Sequence, residues 1–197
     1  MDPLLNDETR AAMEALCARY DVDREHTRQV CRLALDLFDQ TTELHGLAPQ
    51  ARELLEAGAL LHDIGRARSD QRHHKNSRDL ILEHGLPGLA EDELRMVACL
   101  ARYHRKADPD PGHVFYKDLP AQSQEIVRRL AALLRIADGL DRAHESTVES
   151  VRAEAAPGGW RLVVRQKQPS RMDIWGAERK SGLFRAVFGT KTEIVAE

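Results

Sequence analysis

The run Leu60-Leu61-His62-Asp63-Ile64-Gly65 puts an imidazole and a carboxylate side by side at the end of an apolar helical stretch. A buried carboxylate is costly unless a partner neutralises it. A divalent cation suits the pair, because imidazole nitrogen and carboxylate oxygen both ligate transition metals. Alone, the dipeptide is a weak signal. It gains force because other His and Asp residues fall on apolar helix faces on both sides of it. A fold that buries them together must bring several helices round one polar centre.

The chain has 197 residues, room for one substantial core and a small appendage. Its 31% charged and 42% apolar residues describe a soluble globular chain. A net charge of −3 gives no bulk attraction to nucleic acid or anionic lipid. No apolar run reaches the length of a membrane span. The opening MDPLLNDETR is acidic and has no signal-peptide pattern, so the expected location is the cytoplasm. Cys17, Cys31 and Cys99 are scattered over helical patterns without a CxxC spacing, which points away from a zinc ribbon or a disulfide framework.

The expected fold is mainly α, with a helical domain over 1–146 and a small α+β tail over 147–197 packed on it. Asn6 or Asp7 can cap a first helix to about Tyr20. Asp23 can cap a second, which runs to near Gly46 with Val30, Leu33 and Leu37 at helical spacing. A third follows Pro49 and stops at Gly65. Shorter helices are expected over 75–84 and 91–103, an irregular loop over 105–121, and a long helix from about Ser123 to Ala143. Beyond 146 the alternation of Val148–Glu154 and Trp160–Gln166 across Pro157-Gly158 signals a hairpin. A helix over 173–187 and a strand over 190–195 complete a ββαβ module.

His26 lies four residues before Val30 and seven before Leu33, on the inward stripe of the second helix. His62 follows Leu54, Leu55 and Leu61. Asp138 follows Leu134 by four and Leu130 by eight. Each has an ordinary alternative: a core histidine bonded to a carbonyl, or an Asp138–Arg142 surface pair. Together, His26, His62, Asp63 and Asp138 can converge from three helices on one divalent cation. Mixed N/O ligation suits Mn, Fe, Co, Ni or Zn better than Ca. Lys75, Arg102, Arg105, Lys106 and Arg142 cluster beside the same motifs as a candidate anion clamp. His45, His84, His113 and His144 lack such a pattern and read as surface or loop residues. Trp160 and Trp175 read as packing anchors.

The series His26, His62-Asp63, Asp138 resembles the HD superfamily of metal-dependent phosphohydrolases. More narrowly, the stretches AGALLHDIG, HHKNS, ARYHRKADP, LLRIADGLDRAH and LFRAVFG resemble the C-terminal HD domain of the exopolyphosphatase/guanosine pentaphosphatase (Ppx/GppA) family. In those longer proteins phosphatase activity belongs to an actin-like domain pair. The glycine-rich phosphate loops of such a pair are not found in these 197 residues, so exopolyphosphatase activity is not carried over. The resemblance implies a second metal held by His74 and His104, with Asp63 bridging. Related sequences often read HHKHS where this chain has Asn76.

The function expected is a divalent-metal phosphohydrolase acting on a nucleotide or other small phosphate ester, using one or two transition-metal ions. Asp63 and His62 carry the chemistry, and Lys75, Arg105, Lys106 and Arg142 bind the substrate. The rival is a non-catalytic regulatory module that binds nucleotide, polyphosphate or a partner protein. A metal-dependent oxygenase is a weaker third. A homodimer is left open, and neither nucleic acid nor membrane is an expected partner.

Overall fold

The computed structural model describes residues 3–197. A helical body comes first: α1 (Asp7–Tyr20), α2 (Arg24–Gln40), α3 (Thr42–His45), α4 (Gln50–Leu61), a 3₁₀ turn (Ile64–Ala67), α5 (His73–His84), α6 (Glu91–Tyr103), α7 (Val114–Lys117) and α8 (Ala121–Gly139). It is followed by strands β1 (Val148–Ala156) and β2 (Gly159–Gln166), helices α9 (Arg171–Lys180) and α10 (Gly182–Phe188), and strand β3 (Lys191–Ala196). The mainly helical class matches the sequence reading.

Caps start the first two helices where their side chains allow. Asn6 Oδ1 accepts from the Thr9 amide at 2.9 Å, and Asp23 Oδ1 accepts from the His26 amide at 3.2 Å. The second cap matters twice, because it also fixes the backbone that carries His26. α2 ends earlier than periodicity predicts. The buried Thr41 hydroxyl bonds the Leu37 carbonyl at 2.7 Å, and a separate turn, α3, runs on to Gly46 at φ +58°. The helix expected over 173–187 breaks at Ser181, whose hydroxyl bonds the Glu178 carbonyl at 2.7 Å. The stretch 105–121, expected as loop, contains α7, held where the Tyr116 hydroxyl donates to the Gln124 carbonyl at 3.0 Å.

β1 and β2 form the expected antiparallel hairpin, with Gly158 at φ +75° in the turn. β3 then pairs parallel to β2, giving the order β1-β2-β3. α8 is the centre of the core. Leu130 through Gly139 are buried without a break, and the helix packs on α2, α4, α6, α9 and α10. Each fully buried leucine there contributes about 1.5–3 kcal/mol.

Glycines set two close approaches. A Cβ on Gly139 would meet the Ala177 Cα at 2.6 Å, and one on Gly176 would meet the Gly139 carbonyl oxygen at 2.5 Å. The tail helix α9 therefore crosses the end of α8 almost backbone to backbone. Gly65 does not end α4 as a left-handed cap. It is glycine because a Cβ would meet the His73 carbonyl oxygen at 2.2 Å and the Ser77 amide at 2.3 Å. The Gly65 amide donates to Ser77 Oγ at 2.8 Å, which draws the start of α5 against the His62-Asp63 turn. Gly65→Ala is therefore expected to lower stability by about 1–3 kcal/mol through overpacking, read as a lower denaturation midpoint at unchanged slope.

Candidate metal centre

Six ionisable side chains meet at the ends of five helices. His26 is the third residue of α2, His62 follows the last residue of α4, and Asp63 comes next. His73 opens α5, His104 follows the last residue of α6, and Asp138 lies in the last turn of α8. All six are buried. Two groups have ligand atoms mutually within 4.8 Å: His26, His62 and Asp138, and Asp63, His73 and His104.

Backbone carbonyls decide the tautomers. Nδ1 of His62 donates to the Ala59 carbonyl at 2.7 Å, Nδ1 of His73 to Asp70 at 2.7 Å, and Nδ1 of His104 to Ala101 at 2.8 Å. A carbonyl only accepts, so each Nδ1 carries the proton and each Nε2 presents a lone pair. Each acceptor lies three residues back along the chain. His62 and His104 draw on carbonyls in the last turn of their own helices. Nδ1 of His26 donates to Asp141 Oδ2 at 2.8 Å.

The lone pairs crowd together. Nε2 of His73 lies 3.3 Å from Asp63 Oδ1, Nε2 of His104 lies 3.5 Å from it, and Nε2 of His62 lies 3.8 Å from it. The Nε2 atoms of His73 and His104 are 3.2 Å apart. Acceptors facing acceptors with no hydrogen between them repel, and a cation among them removes the repulsion. Nε2 of His26, Nε2 of His62 and Oδ1 of Asp63 are buried without a hydrogen-bond partner among the described residues. Such orphaned donor-set atoms fit divalent ions.

Protonation follows the same logic. Burial drives His104 well below the ordinary imidazole range. Burial also lowers His73, against Asp63 and with the help of the Arg105 guanidinium. Both are therefore neutral, the form that ligates. Burial favours the neutral acid at Asp63, yet the electrostatic surroundings of the site hold the carboxyl well below its usual range. At Asp138 burial is outweighed by the Lys180 ammonium and by His26, and the carboxyl stays ionised. Burial opposes charge on His26 too, yet Asp138 and Asp141 push it up to about 10. Its Nε2 proton faces Asp138 Oδ1 across 3.6 Å and must leave for a metal to bind.

Several supporting residues escaped the sequence reading. The fully buried Asp141 accepts from His26 Nδ1 and, at 2.8 Å, from the Ser146 amide. It stands one helical turn after Asp138, and that spacing was the available signal. His144, read as a loop residue, stacks on His26 with ring centroids 3.8 Å apart and bonds Asp23 Oδ2 at 2.7 Å. Lys106, His144 and Ser146 are the non-glycine residues with positive φ among those described, at 61°, 57° and 49°. Strain of this kind gathers where surrounding structure over-determines the chain. Arg135 does so for Lys106, bonding the Lys106, Ala107 and Tyr103 carbonyls and Asp108.

A cleft of about 610 Å³ opens above Asp63, His73, His104 and Asp138. Seven of the fifteen lining residues are Arg or Lys and three are Asp, in a chain of net charge −3. Arg105, Lys106 and Arg142 line it, as the sequence motifs suggested; Lys75 does not. Arg66, Arg179 and Lys180 were missed. Two of the cations already touch ligand atoms. Arg105 Nη1 lies 3.0 Å from His73 Nε2, and Lys180 Nζ pairs with Asp138 Oδ2. Arg102 lies apart, buried with its guanidinium 5.4 Å from the centre of the Tyr103 ring. Trp175, expected as a packing anchor, is 49% exposed and lines the cleft.

One assignment needs correction. His74 does not join the second ligand group; His73 does. Both are buried, so periodicity could not separate them. His74 turns toward Arg102, and burial with that charge takes it down to about 3. Asn76 is no ligand either. Its amide reaches the Gly65 carbonyl at 3.4 Å and helps hold the turn after Asp63.

Clustered imidazoles and carboxylates lie under a cationic cleft and form a candidate metal centre. The family model described as Ppx/GppA phosphatase, domain III, matches residues 9–173, and the chain belongs to that family. It is similar to three proteins named guanosine-5'-triphosphate,3'-diphosphate pyrophosphatase. The Vibrio vulnificus protein is 29% identical over 151 residues, 76% of this chain and 29% of that protein. The Pseudoalteromonas translucida protein is 28% identical over 67% of this chain and 26% of its own length. The Aliivibrio fischeri protein is 29% identical over 68% and 27% respectively. The chain thus spans less than a third of the length of these relatives.

Metal analysis should separate the neighbouring histidines. His73→Ala is expected to lower bound metal from about two ions per chain to about one, and His74→Ala to leave it unchanged. Asp141→Asn removes the carboxylate behind His26 and is expected to weaken metal binding about 10- to 100-fold in competition with a chelating dye.

Proposed function

We propose that this chain is an HD-type, dinuclear metal phosphohydrolase that acts on a nucleotide or another small phosphate ester. The observation that carries the reading is the convergence of four imidazole Nε2 atoms and two ionised carboxylates beneath a cationic cleft. His26, His62 and Asp138 would hold one ion, and His73, His104 and Asp63 the other. Asp63 Oδ1 is also within 3.8 Å of His62 Nε2, so Asp63 stands between the two sets. Divalent ions there would polarise a phosphoryl oxygen and acidify a water at neutral pH. The relatives' names, which specify a nucleotide pyrophosphatase, support a substrate of this class.

The chain's own residues supply the rest. Arg105, Lys106 and Arg142 would neutralise phosphate oxygens as charge develops. Arg135 keeps Arg105 and Lys106 in place by holding the loop that bears them. Asp63 orients the attacking water. The non-catalytic module remains the second reading, supported by the partial coverage of the relatives.

The test is phosphate release from nucleotides, guanosine polyphosphates, cyclic nucleotides and polyphosphate, each with Mn²⁺, Ni²⁺, Co²⁺, Fe²⁺ or Zn²⁺. Turnover of at least one nucleotide is expected, with Asp63→Ala lowering it about 100-fold or more while the thermal transition stays cooperative. Binding without release under every metal would favour the module. Equal turnover by Asp63→Ala would place the active site elsewhere.

A further inference from the structure

We infer that Trp175 is a stacking platform for a nucleobase, so that the cleft takes a nucleoside carrying a chain of phosphates rather than an inorganic phosphate chain. The inference rests on the reading of the cleft as a phosphate site and adds what lies at its other end. Five large apolar side chains are prominently exposed among the described residues: Val22, Val114, Phe115, Met172 and Trp175. Of these, Trp175 alone lines the cleft. An indole left half exposed beside cationic groups has surface to offer a flat ligand.

The ring is also held ready. Two residues before it, Asp173 is fully buried, with Oδ1 accepting from the Ala143 amide at 2.9 Å and Oδ2 from the Thr147 hydroxyl at 2.6 Å. One residue after it, Gly176 sits against the Gly139 carbonyl. The backbone on either side is thus pinned to the helical body that carries the candidate metal ligands, and ordering it again on binding costs little. Arg179, one turn on, places its guanidinium 4.8 Å from the indole centroid. Such a pair is common on helix surfaces. Its position at a cleft already lined by Arg105, Lys106 and Arg142 is what gives it meaning. The cleft volume of about 610 Å³ is that of a site for a whole small-molecule ligand. Stacking reads the flat face that every base has, so the inference names the nucleoside polyphosphate class without choosing a base.

The test uses the full chain, treated with chelator so that binding is measured without turnover. GTP, ATP and inorganic tripolyphosphate are titrated by calorimetry against wild type, Trp175→Ala and Trp175→Phe. Trp175→Ala is expected to weaken both nucleotides about tenfold and leave tripolyphosphate unchanged, with Trp175→Phe recovering most of the loss. In a Trp160→Phe background, where Trp175 is the only indole, both nucleotides should quench the fluorescence and tripolyphosphate should not. Nucleotide affinity unchanged in Trp175→Ala, or an equal loss for tripolyphosphate, overturns the platform and leaves the hydrolase reading standing. Trp175-dependent nucleotide binding with no turnover under any metal supports the platform and removes the hydrolase reading. A wild type that neither binds nor cleaves any of the three anions, with or without added divalent metal, overturns both.

Discussion

The hydrogen bond from imidazole Nδ1 to a fixed acceptor is the interaction on which the rest of this structure depends. His62, His73 and His104 each give it to a carbonyl three residues back, and His26 gives it to Asp141. Each bond settles a tautomer and a ring orientation at once, and together they aim four Nε2 atoms inward. Without that commitment, the rings could hydrogen-bond one another and Asp63 as an ordinary buried polar network. With it, acceptors face acceptors at 3.2–3.5 Å, an arrangement that calls for positive charge.

Close backbone packing delivers the rings to this point. Gly65 lets α5 press on the turn after Asp63, which brings His73 to the carboxylate. Gly139 and Gly176 let the tail helix α9 lie on the end of α8, which brings Lys180 to Asp138 and Trp175 to the cleft. The tail is therefore part of the site as well as a cover for the helical body. Positive φ at Lys106 and His144 belongs to the same economy: both residues line the cleft, and Arg135 and Asp23 respectively hold the local chain there.

Charge is layered. Ionised Asp63 and Asp138 lie at depth among imidazoles, with Asp141 buried behind His26, and arginines and lysines line the cleft above them. Under the proposed function the acidic layer would hold metal ions, and the basic layer would meet phosphate oxygens. The contacts of Arg105 with His73 and of Lys180 with Asp138 show how these layers satisfy one another directly.

Residues that share one helix face, such as His26 with Val30 and Leu33 or Asp138 with Leu134, were legible in the sequence, because a helical period converts spacing into direction. So were the mainly helical class, the hairpin and the His62-Asp63 pair. The choice of His73 over His74 was not, since adjacent buried residues at a helix start diverge only once the neighbouring helices are in place. Asp141 and His144 needed the loop after α8 to curl back on His26, and Trp175, Arg179 and Lys180 needed a helix crossing between segments more than thirty residues apart. Local spacing determined which side chains would be buried along each helix. Only tertiary packing decided which of them meet, because distances between helices depend on contacts that no single stretch of sequence contains.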